Sequence, residues 1–160
     1  MLKSLGLLFG CLWLCLLYAP AIKKDGIFFA AQGNSKASMI DARDIAEAAV
    51  MALTEDGHEG KKYKITGGET ISNLDVAKAL SEATGKSVRY VAVSDDDAKN
   101  AMLAMGMPAW MVDGMTELNQ IMAKGWLAGI EKDFDGLLGH KPRTFRQFAQ
   151  DFRSAFVQPQ

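Results

Sequence analysis

Residues 62–93 read KYKITGGETISNLDVAKALSEATGKSVRYVAV. Lys62-Tyr63-Lys64-Ile65-Thr66 alternates polar and apolar side chains at the strand period of two. Gly67-Gly68 breaks the run. Ser72 stands three residues before Asp75, the spacing of a capping box with Asp in place of the usual Glu. Val76, Ala79, Leu80 and Ala83 recur at helical spacing and mark one buried face. Gly85 is the natural helix stop. Val88-Arg89-Tyr90-Val91-Ala92-Val93 is the next strand. Strand, helix and strand within this length make a βαβ unit, so the two strands should pair in parallel through a right-handed crossover. The expected class is α/β with a small parallel sheet.

Toward the N-terminus, Gly26-Ile27-Phe28-Phe29-Ala30-Ala31 is a short β-prone run, and Gln32-Gly33-Asn34-Ser35 is a turn. Ser38-Met39-Ile40 reads as a second short strand. Asp41 is placed as an N-cap with Asp44 in the first turn of the helix that follows. Ile45, Ala49 and Leu53 share a face at i+4 spacing, beside Ala46 and Val50. This small-residue helix should end near Thr54, before the polar turn that contains His58.

Toward the C-terminus, Ser94 caps a helix whose first turn holds Asp95, Asp96 and Asp97. Consecutive helical residues diverge, so these acids suit the helix dipole and not a metal ion. That helix should stop at Gly106. Pro108 starts the next at a tolerated position, with Met111, Met115, Leu118 and Met122 on its apolar face. Thr144-Phe145-Arg146-Gln147 fits a capping box. Phe145, Phe148, Phe152 and Phe156 follow as the aromatic seam of a closing helix.

The 160 residues include 18 basic and 19 acidic groups, a net charge of −1. Apolar residues make up 49% and charged residues 23%. These values describe a globular domain and exclude a disordered or collagen-like chain. No basic excess is present to neutralise phosphates, so nucleic acid is not an expected partner.

Leu5 to Tyr18 is a nearly unbroken apolar run after Lys3, followed by Ala19-Pro20-Ala21. It has the layout of an export signal, is short for a membrane span, and leaves membrane association open. Leu8-Phe9-Gly10-Cys11 is only a faint lipoprotein site. Cys11 and Cys15 are four residues apart, poorly placed for a disulfide within one helix. Residues 1–18 are therefore set apart from 19–160. Cytoplasmic location is the first expectation, with export or membrane anchoring through residues 1–21 as the alternative.

The chain has no glycine-rich dinucleotide fingerprint, no Walker pattern, no G-x-S-x-G elbow and no Tyr-x-x-x-Lys pair. Its two histidines, His58 and His140, have no partner at ligand spacing and are expected to be solvated. No catalytic, cofactor-binding or metal-binding residue is assigned.

Four stretches carry a resemblance. They are Ala19-Pro20-Ala21-Ile22-Lys23-Lys24-Asp25-Gly26, Ile40-Asp41-Ala42-Arg43-Asp44-Ile45-Ala46, Tyr63-Lys64-Ile65-Thr66-Gly67 followed by Ser72, and Gly139-His140-Lys141-Pro142-Arg143-Thr144-Phe145 followed by Phe148. In this order they resemble the C-terminal part of NmrA-like proteins, atypical short-chain dehydrogenase/reductases. The resemblance implies the C-terminal portion of a Rossmann-like NAD(P)-binding fold, with a helical substrate-side subdomain and the nucleotide-binding half absent. It begins abruptly near Leu16, which suggests a frameshift or a late start codon. Members reduce quinone-like acceptors with NAD(P)H or sense NAD(P)H as regulators. The implied cofactor is NAD(P), which this chain should not bind alone, and the chain should not be catalytic as it stands. On the substrate side the resemblance points to Met107, Pro108, Trp110, Met111 and Met115, a plastic apolar lining suited to a quinone. The competing reading is that these residues pack as core. The alternatives are a regulatory or interaction module, self-associating through an exposed sheet, and an exported protein.

Overall fold

The computed structural model describes residues 12–158. The apolar stretch before Leu12, including Cys11 and the lipoprotein-like site, lies outside the described residues. A 3-10 helix over Leu12–Tyr18 leads into α1 (Ala19–Asp25). Leu12 and Cys15 are buried in the main core, and the Leu12 amide donates to Ile40 O at 2.8 Å. Gly26 ends α1 with φ 65° and donates its amide to Ile22 O. A Cβ on Gly26 would lie 2.8 Å from Ser87 O, so both conformation and space demand glycine.

The chain continues through β1 (Ile27–Ala30), β2 (Lys36–Ala37), α2 (Ala42–Thr54), β3 (Ile71–Ser72), α3 (Asn73–Thr84) and β4 (Arg89–Ala92). Four helices follow: α4 (Asp95–Ala104), α5 (Ala109–Ala123), α6 (Asp133–Leu138) and α7 (Phe145–Asp151), before a closing 3-10 turn. β1 pairs with β4 in parallel, Phe28 opposite Tyr90 and Phe29 opposite Val91. β2 pairs with β3 antiparallel.

The expected small parallel sheet is present, but its strands are β1 and β4. Residues 62–66 form no strand. They are engaged singly: the Lys64 backbone amide donates to Asp133 Oδ2 at 2.8 Å, and the Thr66 side-chain hydroxyl Oγ1 accepts from Glu131 N at 3.0 Å. Alternation described an extended segment that lies beside the start of α6 and the loop before it instead of entering a ladder. The second strand also falls earlier, at Lys36–Ala37, leaving only an isolated bridge at Ile40.

Local signals held better. Ser72 and Asp75 form the reciprocal capping box of α3, and Thr144 and Gln147 form that of α7. Asp41 and Ser94 cap α2 and α4. Pro108 sits at the N-cap of α5, one position earlier than expected. α3 buries Val76, Ala77, Leu80 and Ala83 against Phe145, Phe148 and Phe156. Tyr18, Phe28 and Tyr90 continue that core as stacked and tilted rings, 4.9 and 5.5 Å apart. Burying each such ring contributes roughly 1.5–3 kcal/mol.

Two helical faces differ from expectation. α2 buries Asp44 and Ala48, while Leu53 is 66% exposed. The cause is an ionic contact at Asp44, described below, which turns that side inward. α5 buries Val112, Leu118 and Asn119, while Met111 is 38% exposed.

Candidate functional site

Asp41 and Asp44 are fully buried carboxylates at the start of α2. Asp41 caps the helix through Arg43 N at 2.9 Å and accepts from the Arg43 guanidinium at 2.7 Å. Burial raises the Asp41 pKa, but the Arg43 hydrogen bonds outweigh it and hold the carboxyl below its ordinary value. Arg43 also reaches Asp151 at 2.7 Å and lies over the Phe152 ring. Asp44 accepts from the backbone amide of Arg143 at 2.8 Å and from its guanidinium. The same guanidinium binds Glu47 at 2.6 Å. The two arginines thereby clasp the start of α2 to the chain around α7.

Gly67 completes the clasp. A Cβ there would lie 2.0 Å from Met39 O, so only glycine lets these backbones approach. Three of the four stretches that carried the family resemblance, around Asp41, Gly67 and Arg143, thus meet as framework.

Neither histidine is simply solvated. His58 Nδ1 is 2.7 Å from the Tyr63 hydroxyl. His140 Nε2 lies 3.0 Å from Glu47 Oε2, with its ring edge against Phe134. The Lys141 carbonyl, and then Glu47, raise its pKa.

A second polar cluster lies just beyond the C-terminal end of β1. In open parallel sheets this end is where ligands bind. Gln32 Nε2 donates to Asn119 Oδ1 at 2.8 Å, and Asn73 Nδ2 donates to Gln32 Oε1 at 2.8 Å. The Tyr90 hydroxyl donates to the carbonyls of Ala30 and Gly33 at 3.1 and 2.9 Å. Burial raises the Tyr90 pKa. Ser38 Oγ donates to Leu127 O at 3.0 Å and to Gly129 O. These bonds fix α5 and the segment after it to the end of the sheet. Sequence reasoning did not single out Gln32, Asn73 or Asn119, because ordinary amides far apart in the chain carry no local signature.

α5 also carries Trp110, Met111 and Met115, with Met107 just before it. Trp110 is 73% exposed, and Met107 and Met115 are half-buried. Val112 and Leu118 supply the core contact of this helix. Leu103, Met105, Trp126 and Ile130 are further exposed apolar residues on α4 and after α5. No side chain caps α5, and its first turn has no acid. Met111 N and Val112 N donate to Pro108 O, so the donors that no side chain caps here are the amides of Ala109 and Trp110.

Three helix N-termini are unsuited to a dinucleotide pyrophosphate. The N-termini of α2, α3 and α4 are capped by their own side chains and carry acids in the first turn. Those acids oppose a bound phosphate. Among the described residues, no cluster of three or more His, Cys, Asp or Glu could hold a metal. No helix among them is long and apolar enough to cross a membrane.

Residues 18–148 match the NmrA-like family. An NAD(P)H azoreductase of Xenophilus azovorans is 45% identical over 141 residues, 88% of this chain and 49% of that protein. Quinone oxidoreductase 2 of Escherichia coli is 31% identical over 129 residues, 81% of this chain and 45% of that protein. The solved NADPH-dependent quinone oxidoreductase of Escherichia coli, in complex with NADPH, superposes with a TM-score of 0.82 at 29% identity. It covers 89% of this chain and 50% of its own. The chain spans about half the length of the curated relatives it matches.

Proposed function

The chain belongs to the NmrA-like family, and from that premise we propose that it is the acceptor-binding part of an NAD(P)H-dependent oxidoreductase. The acceptor class is a flat, apolar, reducible molecule, a quinone or an aromatic azo compound. One observation carries this reading: Trp110, Met107, Met111 and Met115 lie on or beside a helix whose core contacts are made by other residues. Methionine and tryptophan offer a polarizable surface that adapts to flat rings. The uncapped first turn of α5 adds backbone donors suited to a quinone carbonyl. The Gln32–Asn119 bond holds this helix by the end of β1.

In this reading the chain binds and orients the acceptor, and the dinucleotide is held elsewhere. The chain alone does not oxidise NADPH. Methyl-labelled methionine spectra recorded during titration with a water-soluble naphthoquinone test the assignment. Saturable shifts are expected at Met107, Met111 and Met115. Shifts confined to other methionines, or none, would remove the acceptor role from α5.

A further inference from the structure

α4 and α5 pack on each other as a helical hairpin joined through Met105-Gly106-Met107-Pro108. Two polar contacts bridge them. Gln120 Nε2 donates to Asp95 Oδ2 at 3.1 Å, and Lys99 Nζ donates to Asp113 Oδ1 at 2.9 Å. Beyond that ion pair, residues 100–112 read NAMLAMGMPAWMV and carry no charge. No residue of α4 is buried. From Leu103 to Met111 every residue except Met107 is exposed, with Met105 and Trp110 each at 73%. The hairpin thus presents an uncharged apolar tip.

The backbone of the tip is closed largely within itself. Gly106 takes a φ of 80°, and its amide donates to Leu103 O at 2.9 Å. The Met107 amide donates to Met102 O at 3.1 Å. Pro108 has no amide hydrogen. Met111 N and Val112 N both donate to Pro108 O. Of the amides from Met105 to Val112, those of Ala109 and Trp110 are left for an outside acceptor. A backbone paired in this way can leave water without the heavy cost of bare donors.

We propose that this tip inserts into the interface of a zwitterionic lipid bilayer and takes up a lipid-dissolved quinone there. Tryptophan suits the boundary between headgroups and acyl chains, and methionine adapts to a disordered apolar surface. A specific protein partner would be met by directional hydrogen bonds, about one per 100–200 Å². Past Asn100 the tip offers no polar side chain but the Trp110 indole N–H. Charge selects the lipid. Residues 94–123 contain five acids and one base, so an anionic surface repels the hairpin. No helix among the described residues is long and apolar enough to cross a membrane. With so few apolar side chains at the tip, association is shallow and reversible. The inference rests on the acceptor-site reading and deepens it, because Met107, Trp110 and Met111 belong to both.

The test sediments the full chain with phosphatidylcholine vesicles, and with vesicles that also contain phosphatidylglycerol. The chain should partition onto the first and less onto the second at low salt. Leu103→Asp and Met105→Asp each place a charge in the tip and should lower the partition coefficient by at least about tenfold. Leu53→Asp, on exposed α2, should leave it unchanged. Circular dichroism establishes that each variant folds. Met105→Asp should still bind a water-soluble naphthoquinone, which separates lipid docking from acceptor binding. No partition, or partition indifferent to both tip variants, would overturn the proposal. Stronger binding to the anionic vesicles would also overturn it. So would a homodimer that Met105→Asp dissociates in the absence of partition, because the tip would then belong to a second copy. Partition without naphthoquinone binding would retain the lipid-docking tip and count against the acceptor reading.

Discussion

Asn119 on α5 and Gln32 after β1 are 87 residues apart in sequence, yet their buried side-chain amides meet at 2.8 Å. Asn73 at the start of α3 holds the other end of Gln32 at 2.8 Å. One glutamine therefore ties the helix that carries Trp110 and Met111 to the end of the parallel sheet and to the core helix. Asn119→Ala removes the acceptor for a buried donor. The expected loss is about 1–3 kcal/mol, seen as a lower urea midpoint. Amide exchange should quicken along α5 before it does in α3.

The Asp44–Arg143 contact joins a fully buried carboxylate to an arginine that is 29% exposed. Arg143→Ala leaves Asp44 buried without its cation. Partial solvent access softens the penalty, so a loss of about 2–4 kcal/mol is expected. Arg143→Lys should recover only part of it, because one ammonium cannot reproduce the guanidinium contacts to both Asp44 and Glu47. Chemical denaturation of the three proteins measures both effects.

Stability should respond to pH at both ends of the range. The folded-state pKa of Asp41 is lowered. Its contribution is fully present above the ordinary carboxylate value of 3.8 and is lost as pH falls through the lower folded value. The pKa of His140 is raised. Its contribution is fully present below the ordinary value of 6.5 and is lost as pH rises through the higher folded value. Unfolding midpoints against pH should show both limbs. His140→Gln should remove the upper limb and spare the acid limb.

The closing helix separates packing from surface chemistry. Phe148 is fully buried between Phe145 and Phe152. Phe148→Ala should cost about 3–5 kcal/mol. Trp110→Ala, on a 73% exposed residue, should change stability by less than about 0.5 kcal/mol. Thermal melts of both variants compare the two sites directly.

Local patterns were the most legible part of the sequence. Ser72–Asp75 and Thr144–Gln147 act within one helical turn, so their chemistry lies within four consecutive residues. The aromatic seam through Phe148 was visible for the same reason. Strand pairing was less legible. β1 and β4 are separated by two helices, and Lys62–Thr66 has the alternation of a strand without an edge to join. The inward side of α2 was hidden because Asp44 is drawn inside by an arginine 99 residues away. The amide cluster was invisible for a similar reason: Gln32, Asn73 and Asn119 become distinctive only once the fold brings them together.

The proposed acceptor site puts an aromatic ring against Trp110 on α5. Tryptophan fluorescence, titrated with a water-soluble naphthoquinone in wild type and in Trp110→Phe, tests it most directly. Saturable quenching is expected in wild type, with most of the saturable part lost in Trp110→Phe. Linear quenching in both proteins, no stronger than that of free tryptophan, would contradict it.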